Sequence, residues 1–176
     1  MRVIAGKYKG RKILCPKGRE VRPTTDKVKE AMFGSIQFDL PGARVLDAFA
    51  GSGALGLEAL SRGAAHVDFV ENDRDAVRFL KENLKIAEEE SYSVIFGDAM
   101  ELSGRRYDIA ILDPPYDSGL YEAFLEHADS EGLLEPGARV IAECRNRFDF
   151  AVPVKYNLTK RKSYGDIALW FLEYGG

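Results

Sequence analysis

The chain is poor in the residues that build metal and disulfide chemistry. Its 176 residues include two cysteines, Cys15 and Cys144, and two histidines, His66 and His127, at no spacing that would gather a metal. Reduced thiols and no metal are therefore expected. Cys144 closes an apolar run and reads as a small buried hydrophobe rather than a nucleophile. Long hydrophobic runs are also missing. Nothing approaches a membrane span, and the stretch from Met1 to Tyr8 lacks the apolar core of a secretory leader. A soluble cytoplasmic protein is expected, with no membrane association and no obligate protein partner evident. There are no repeats and no low-complexity segments, and a 45% hydrophobic content suffices for one real core.

The net charge is only −3, but it is unevenly spread. Residues 1–30 hold ten Lys and Arg against three acids, a net of +7, which leaves −10 for the remainder. A basic arm on an acidic body is a pattern of nucleic-acid contact surfaces. Lys7, Lys9, Arg11, Lys12 and Arg22, interleaved with Tyr8 and glycines, are the candidate contacts. If that arm were only a solvated tail, Arg145, Arg147 and Lys160–Lys162 would be the next place to look.

From residue 44 the chain alternates β-branched runs with helical periodicity. Strands are predicted over 44–49, 66–71, 92–96, 107–113 and 138–144, with helices over 54–62, 74–86 and 120–128. Gly63 stops the first of these helices, and Ala76, Val77, Leu80 and Leu84 share one face of the second. This rhythm predicts an α/β, Rossmann-like, doubly wound and mostly parallel sheet. Residues 150–158 and 167–174 are predicted to close it as a hairpin. The first residues differ: 2–5 and 11–14 suggest a small hairpin, and Pro23 with Thr24, Thr25 and Asp26 starts a helix carrying Val28, Ala31, Met32 and Ile36. The expected division is a basic hairpin extension over 1–22 and one domain over 23–176.

Two motifs carry chemistry. Gly51-Ser52-Gly53-Ala54-Leu55-Gly56 follows a strand and opens a helix, the setting a nucleotide-binding glycine loop requires. Glu71 lies twenty positions on, at the tip of the next strand, where a carboxylate can accept both hydroxyls of a ribose. Together they predict an adenosine-bearing cofactor at the carboxyl edge of the sheet, without separating a nicotinamide dinucleotide from S-adenosylmethionine (SAM). Asp113-Pro114-Pro115-Tyr116, at the end of the fourth strand, makes that separation. An exocyclic base amine is a poor nucleophile because its lone pair is delocalised into the ring. The Asp113 carboxylate and the Pro114 carbonyl can each accept one amine N–H and aim the lone pair at a methyl donor. The prolines hold those acceptors in place, and Tyr116 offers a stacking face for an extruded base.

These residues resemble the class I SAM-dependent methyltransferases and, more specifically, the RsmD-type 16S rRNA guanine-N2 methyltransferases. Nearly the whole chain takes part in the resemblance: residues 2–13, 22–33, 47–64, 113–116 and 164–172. The two N-terminal segments are its most specific part. The resemblance implies a seven-stranded sheet with an antiparallel last strand, SAM as the cofactor without a metal, and 16S rRNA or an assembling small ribosomal subunit as the partner. It places Asp47, Phe49, Gly51, Ser52 and Gly53 around the methionine part of SAM, Glu71 and Asn72 at the ribose, and Asp98 with Ala99 at the adenine. It makes Asp113, Pro114 and Tyr116 the catalytic set, and gives 22–25 the place of a lid or cofactor-entry element. Ile167 stands where such proteins often carry Thr.

Three other readings compete. An oxidoreductase would need a substrate domain for which too little chain follows Asp113. A non-catalytic RNA-binding module would have no use for the glycine loop. Adenine-N6 methylation remains a neighbouring alternative, because Asp-Pro-Pro-Tyr serves that chemistry too.

Overall fold

The computed structural model describes residues 1–15, 25–115 and 119–176. Helix α1 (Asp26–Ser35) starts where the sequence predicts, with the Thr25 hydroxyl accepting the Val28 amide. There follow β1 (Arg44–Asp47), α2 (Ala54–Ser61), β2 (His66–Glu71), α3 (Arg74–Leu84), β3 (Tyr92–Phe96), β4 (Tyr107–Leu112), α4 (Leu120–Ser130), β5 (Leu134–Arg145), β6 (Tyr156–Tyr164) and β7 (Ile167–Tyr174). The seven strands form one sheet in the order β3-β2-β1-β4-β5-β7-β6. The first five run parallel, and β7 pairs antiparallel with both β5 and β6. Strand order reverses between β1 and β4, and open α/β sheets place their ligand crevice at such a switch point.

Each face of the sheet carries its own apolar layer. On one, Val45, Phe69, Ile109, Ile111, Ile141, Leu169 and Phe171 pack under α1, α2 and α3. On the other, Leu46, Val70, Ala110, Leu112, Val140 and Ala142 pack under α4 through Tyr121, Phe124, Leu125 and Ala128. Alternation along each buried strand produces the two layers. Cys144 is fully buried in the second, and burial pushes its thiol up to about 11, so it packs as a hydrophobe. Among the described residues no helix is long and apolar enough to cross a membrane.

Three boundaries depart from the sequence reading. β5 begins at Leu134 rather than Ala138, because the turn residues Pro136 and Gly137 are absorbed as an irregularity: Tyr107 pairs with Leu134, but Ile109 pairs with Arg139. The first arm of the closing hairpin is 156–164 instead of 150–158. Phe150 looks like a strand residue only because it is apolar; its ring stacks between Tyr121 and Trp170, ahead of the strand. The true strand is hidden by its charges. Finally, the N-terminal hairpin is loosely paired, with one bridge, Arg2 to Lys12, flanked by Val3 N–H to Arg11 O and Ile13 N–H to Met1 O.

That N-terminal segment is nonetheless anchored. Val3 and Ile13 lie in the first apolar layer. The buried Glu58 carboxylate on α2 accepts the amides of Ile4 (2.8 Å) and Ala5 (3.1 Å) and the Arg62 guanidinium (2.8 Å). The buried Lys29 ammonium stands 3.5 Å from Glu58 and donates to the Arg2 carbonyl. Gly6 lies so close to α2 that a Cβ there would be 1.8 Å from the Ser61 carbonyl oxygen. The expected boundary between residues 22 and 23 lies outside the described residues.

Candidate active site

The carboxyl ends of β1, β2, β3 and β4 open into a cavity of about 670 Å³, a size suited to a cofactor. Of the residues predicted from the sequence, Phe49, Gly51, Ser52, Glu71, Asn72, Asp98, Ala99, Asp113 and Pro114 line it together. Asp47 and Gly53 stand behind the wall. Gly53 begins α2 in a left-handed conformation with the Leu80 side chain where its Cβ would stand. Tyr116 and Arg22 lie outside the described residues.

On the β1–β3 side the polar groups are held by backbone amides. Gly51 N–H donates to Glu71 Oε2 at 2.7 Å and Asp73 N–H to Oε1 at 2.8 Å, which fixes the carboxylate and leaves each oxygen a further lone pair for a ligand hydroxyl. Asp73 caps α3 by accepting the Ala76 amide at 2.8 Å. Asp98 caps the short turn at Ala99–Glu101 by accepting the Met100 amide at 2.9 Å. Gly51 and Gly97 have open space where a Cβ would be, so a ligand can lie directly on the backbone. This cradle of fixed carboxylates and bare backbone fits an adenosine-bearing cofactor. The loop is also braced from below: buried Asn83 on α3 donates to the carbonyls of Ser52 and Leu14, both at 2.9 Å, and accepts the Leu14 amide at 2.8 Å.

Where β1, β4 and β5 end, carboxylates crowd one another. Asp113 follows β4 directly and comes next to Glu143 of β5, since Leu112 pairs with Ala142. Burial first, then Glu143 and Asp47, raise the proton affinity of Asp113 well above the usual carboxylate range. Asp47, 1% exposed, accepts the Gly56 amide at 2.9 Å through one oxygen, while its other oxygen is buried without a partner. Burial pushes this carboxyl up to about 7. Among the described residues no cluster is suited to a metal.

Pro115 of the Asp-Pro-Pro-Tyr motif lines the cavity too, and sequence reasoning passed over Asp73, Gly97 and Leu120, which also line it. Asp73 carried a usable signal, an N-cap residue immediately before a helical stretch. Glu143 had none beyond its place in an apolar run, because its closeness to Asp113 comes from strand register.

In the N-terminal arm, Lys9, Arg11 and Lys12 are exposed, whereas Lys7 pairs with Glu88 and Arg2 with Asp26. The arm's turn docks at the far end of α2: Lys7 N–H donates to Ser61 O and Tyr8 N–H to Ser61 Oγ. That end is about 12 Å, one length of an eight-residue helix, from the glycine loop.

A doubly wound sheet of this strand order, with its crevice at the switch point between β1 and β4, is that of a class I methyltransferase. Comparison with known proteins agrees. Residues 1–173 match the family model described as Conserved hypothetical protein 95. The chain is 36% identical to Ribosomal RNA small subunit methyltransferase D of Escherichia coli over 172 residues, covering 96% of this chain and 87% of the relative. It is 33% identical to the protein of the same name from Haemophilus influenzae, covering 96% and 91%. The solved structure of the Escherichia coli protein yhhF superposes with a TM-score of 0.89 at 35% identity, covering 99% of this chain and 98% of that one. The chain belongs to this family, the RsmD-type methyltransferases.

Proposed function

We propose that the protein transfers a methyl group from SAM to the exocyclic N2 amine of a guanine in 16S rRNA, free or within an assembling small subunit. The observation that carries this reading is the junction of the two motifs: Asp113 and Pro114 share one cavity with Gly51 and Glu71. The rRNA substrate is taken from the named function of the relatives in Escherichia coli and Haemophilus influenzae.

In this reading Glu71 holds the ribose hydroxyls, Asp98 and Ala99 border the adenine, and Gly51 and Ser52 lie along the methionine part. Asp47 supports the loop from behind through the Gly56 amide. When bound, SAM supplies an electrophilic methyl group. Asp113 and the Pro114 carbonyl accept the two amine hydrogens and turn the nitrogen lone pair out of conjugation with the ring. As the new N–C bond forms, the nitrogen must lose a proton. Asp113 takes it, which its raised proton affinity favours. Tyr116 stacks on the extruded base, and Lys9, Arg11 and Lys12, with Arg22, contact more distant phosphates.

Calorimetry with SAM, its demethylated product, NAD and NADP tests the cofactor. Digestion and mapping of the methylated nucleoside after incubation with deproteinised or assembled small subunits tests the base. Binding of SAM with N2-methylguanosine as the product is expected. Binding of a nicotinamide dinucleotide alone, or N6-methyladenosine as the product, would overturn the assignment.

A further inference from the structure

The sheet has two edges, and only one is cationic. β3 carries no Lys or Arg over Tyr92–Phe96 and follows Glu88, Glu89 and Glu90. β6, at the opposite edge, carries Lys160, Arg161 and Lys162 in succession and no acid over Tyr156–Tyr164. Lysine on an edge strand can serve merely to discourage edge-to-edge aggregation. The β3 edge is managed without cations, by a strand of five residues that three glutamates precede.

The three cations differ in their surroundings. Arg161 stacks on Trp170, its guanidinium 4.6 Å from the ring centroid, and pairs with Asp149 at 2.7 Å. Lys160 and Lys162 lie on the other face of the strand, opposite Phe171 and Leu169. Among the described residues neither pairs with a carboxylate. Each is close enough to the other that Lys162 lowers the proton affinity of Lys160. Two ammonium groups two residues apart on one face of an edge strand make a site that an anion would relieve.

Strand register places this site relative to the cavity. Glu143 pairs with Leu169, and Leu169 with Lys162, so Lys162 stands in the cross-strand row that passes beside Asp113. At about 4.8 Å per strand, three steps separate Asp113 from Lys162 by about 14 Å. The arm's turn, by contrast, lies at the amino end of the sheet.

We propose that the Lys160–Lys162 edge of β6 is the surface that grips the RNA sugar–phosphate backbone beside the nucleotide entering the cavity. This rests on the RNA-directed reading above. A duplicate cationic surface far from the cavity would raise affinity without orienting a base. This one lies on the same sheet end as Asp113.

The test is a salt series of binding to a single-stranded RNA oligonucleotide and to deproteinised small-subunit rRNA, using wild type, K160Q/K162Q, K160R/K162R and a Lys9/Arg11/Lys12-to-Ala variant. SAM affinity is measured on each as a control for folding. Loss of two phosphate contacts on single-stranded RNA should lower the log–log salt slope by about 1.4, at about 0.7 per contact. The arginine variant should retain the slope, and SAM affinity should be equal throughout. A wild-type slope in K160Q/K162Q, or a slope lost only in the arm variant, overturns the proposal. Wild type that binds RNA with the expected slope but no SAM overturns the proposed reaction and leaves this surface standing.

Discussion

The two sides of the cavity solve opposite electrostatic problems. On the β2–β3 side, Glu71, Asp73 and Asp98 each accept a backbone amide, Glu71 receiving both Gly51 and Asp73. Where β1, β4 and β5 end, Asp113 feels both Glu143 and Asp47, and burial raises the proton affinity of Asp113 and Asp47. A cofactor is best held by acceptors already fixed and charged. A group that must take up a proton is best kept where its charge is disfavoured. In the proposed reaction, the first side binds the cofactor and the second reacts.

The sharpest break in this comparison comes from Asp113→Ala. Transition-state stabilisation should fall by about 2–4 kcal/mol, a rate loss of roughly 30- to 10³-fold, while SAM affinity hardly moves. A near wild-type single-turnover rate would remove Asp113 from the reacting side. Glu71→Ala should do the converse. It removes a charged acceptor and strands the Gly51 amide, so SAM affinity measured by calorimetry should drop by about 1.5–3 kcal/mol, with the rate at saturating SAM little changed.

The pH dependence of stability separates the sides further. Asp47 in the folded protein holds its proton up to about 7, above its unfolded value, so the native state binds more protons than the unfolded state between the two. Stability from this group is therefore present at low pH and declines as pH rises through the folded value. Asp47→Asn should flatten denaturant-derived stability between pH 5 and 8 by on the order of 2 kcal/mol, with the variant gaining on wild type at the alkaline end. A variant as steep as wild type would mean that Asp47 is ionised throughout. The smallest effect is expected from Glu143→Gln. Removing that negative neighbour should lower the proton affinity of Asp113 and move the acid limb of the single-turnover rate profile to lower pH.

Much of the binding side was legible in the sequence, because its signals are local. A strand, a glycine loop, a helix and an acid at the next strand tip occupy a short stretch of chain, and their spacing specifies their geometry. The reacting side was legible only through Asp113 and Pro114. Glu143 and Lys162 acquire meaning from parallel and antiparallel register, which is a property of the assembled sheet. β6 was misplaced for a related reason: an edge strand loses the apolar alternation that reveals buried strands, and Phe150 and Val152 imitated it nearby. Lys29 counted as one more charge of a basic arm, although α1 turns it inward to the Glu58 carboxylate.

Asn83 also bears on how the molecule opens. Its single amide group joins Leu14 to Ser52, so neither segment can leave its place without breaking hydrogen bonds that the other shares. The N-terminal segment and the glycine loop should therefore unfold locally as one cooperative unit. The Leu14 amide, although adjacent to the exposed arm, should show hydrogen-exchange protection that rises when the loop is occupied.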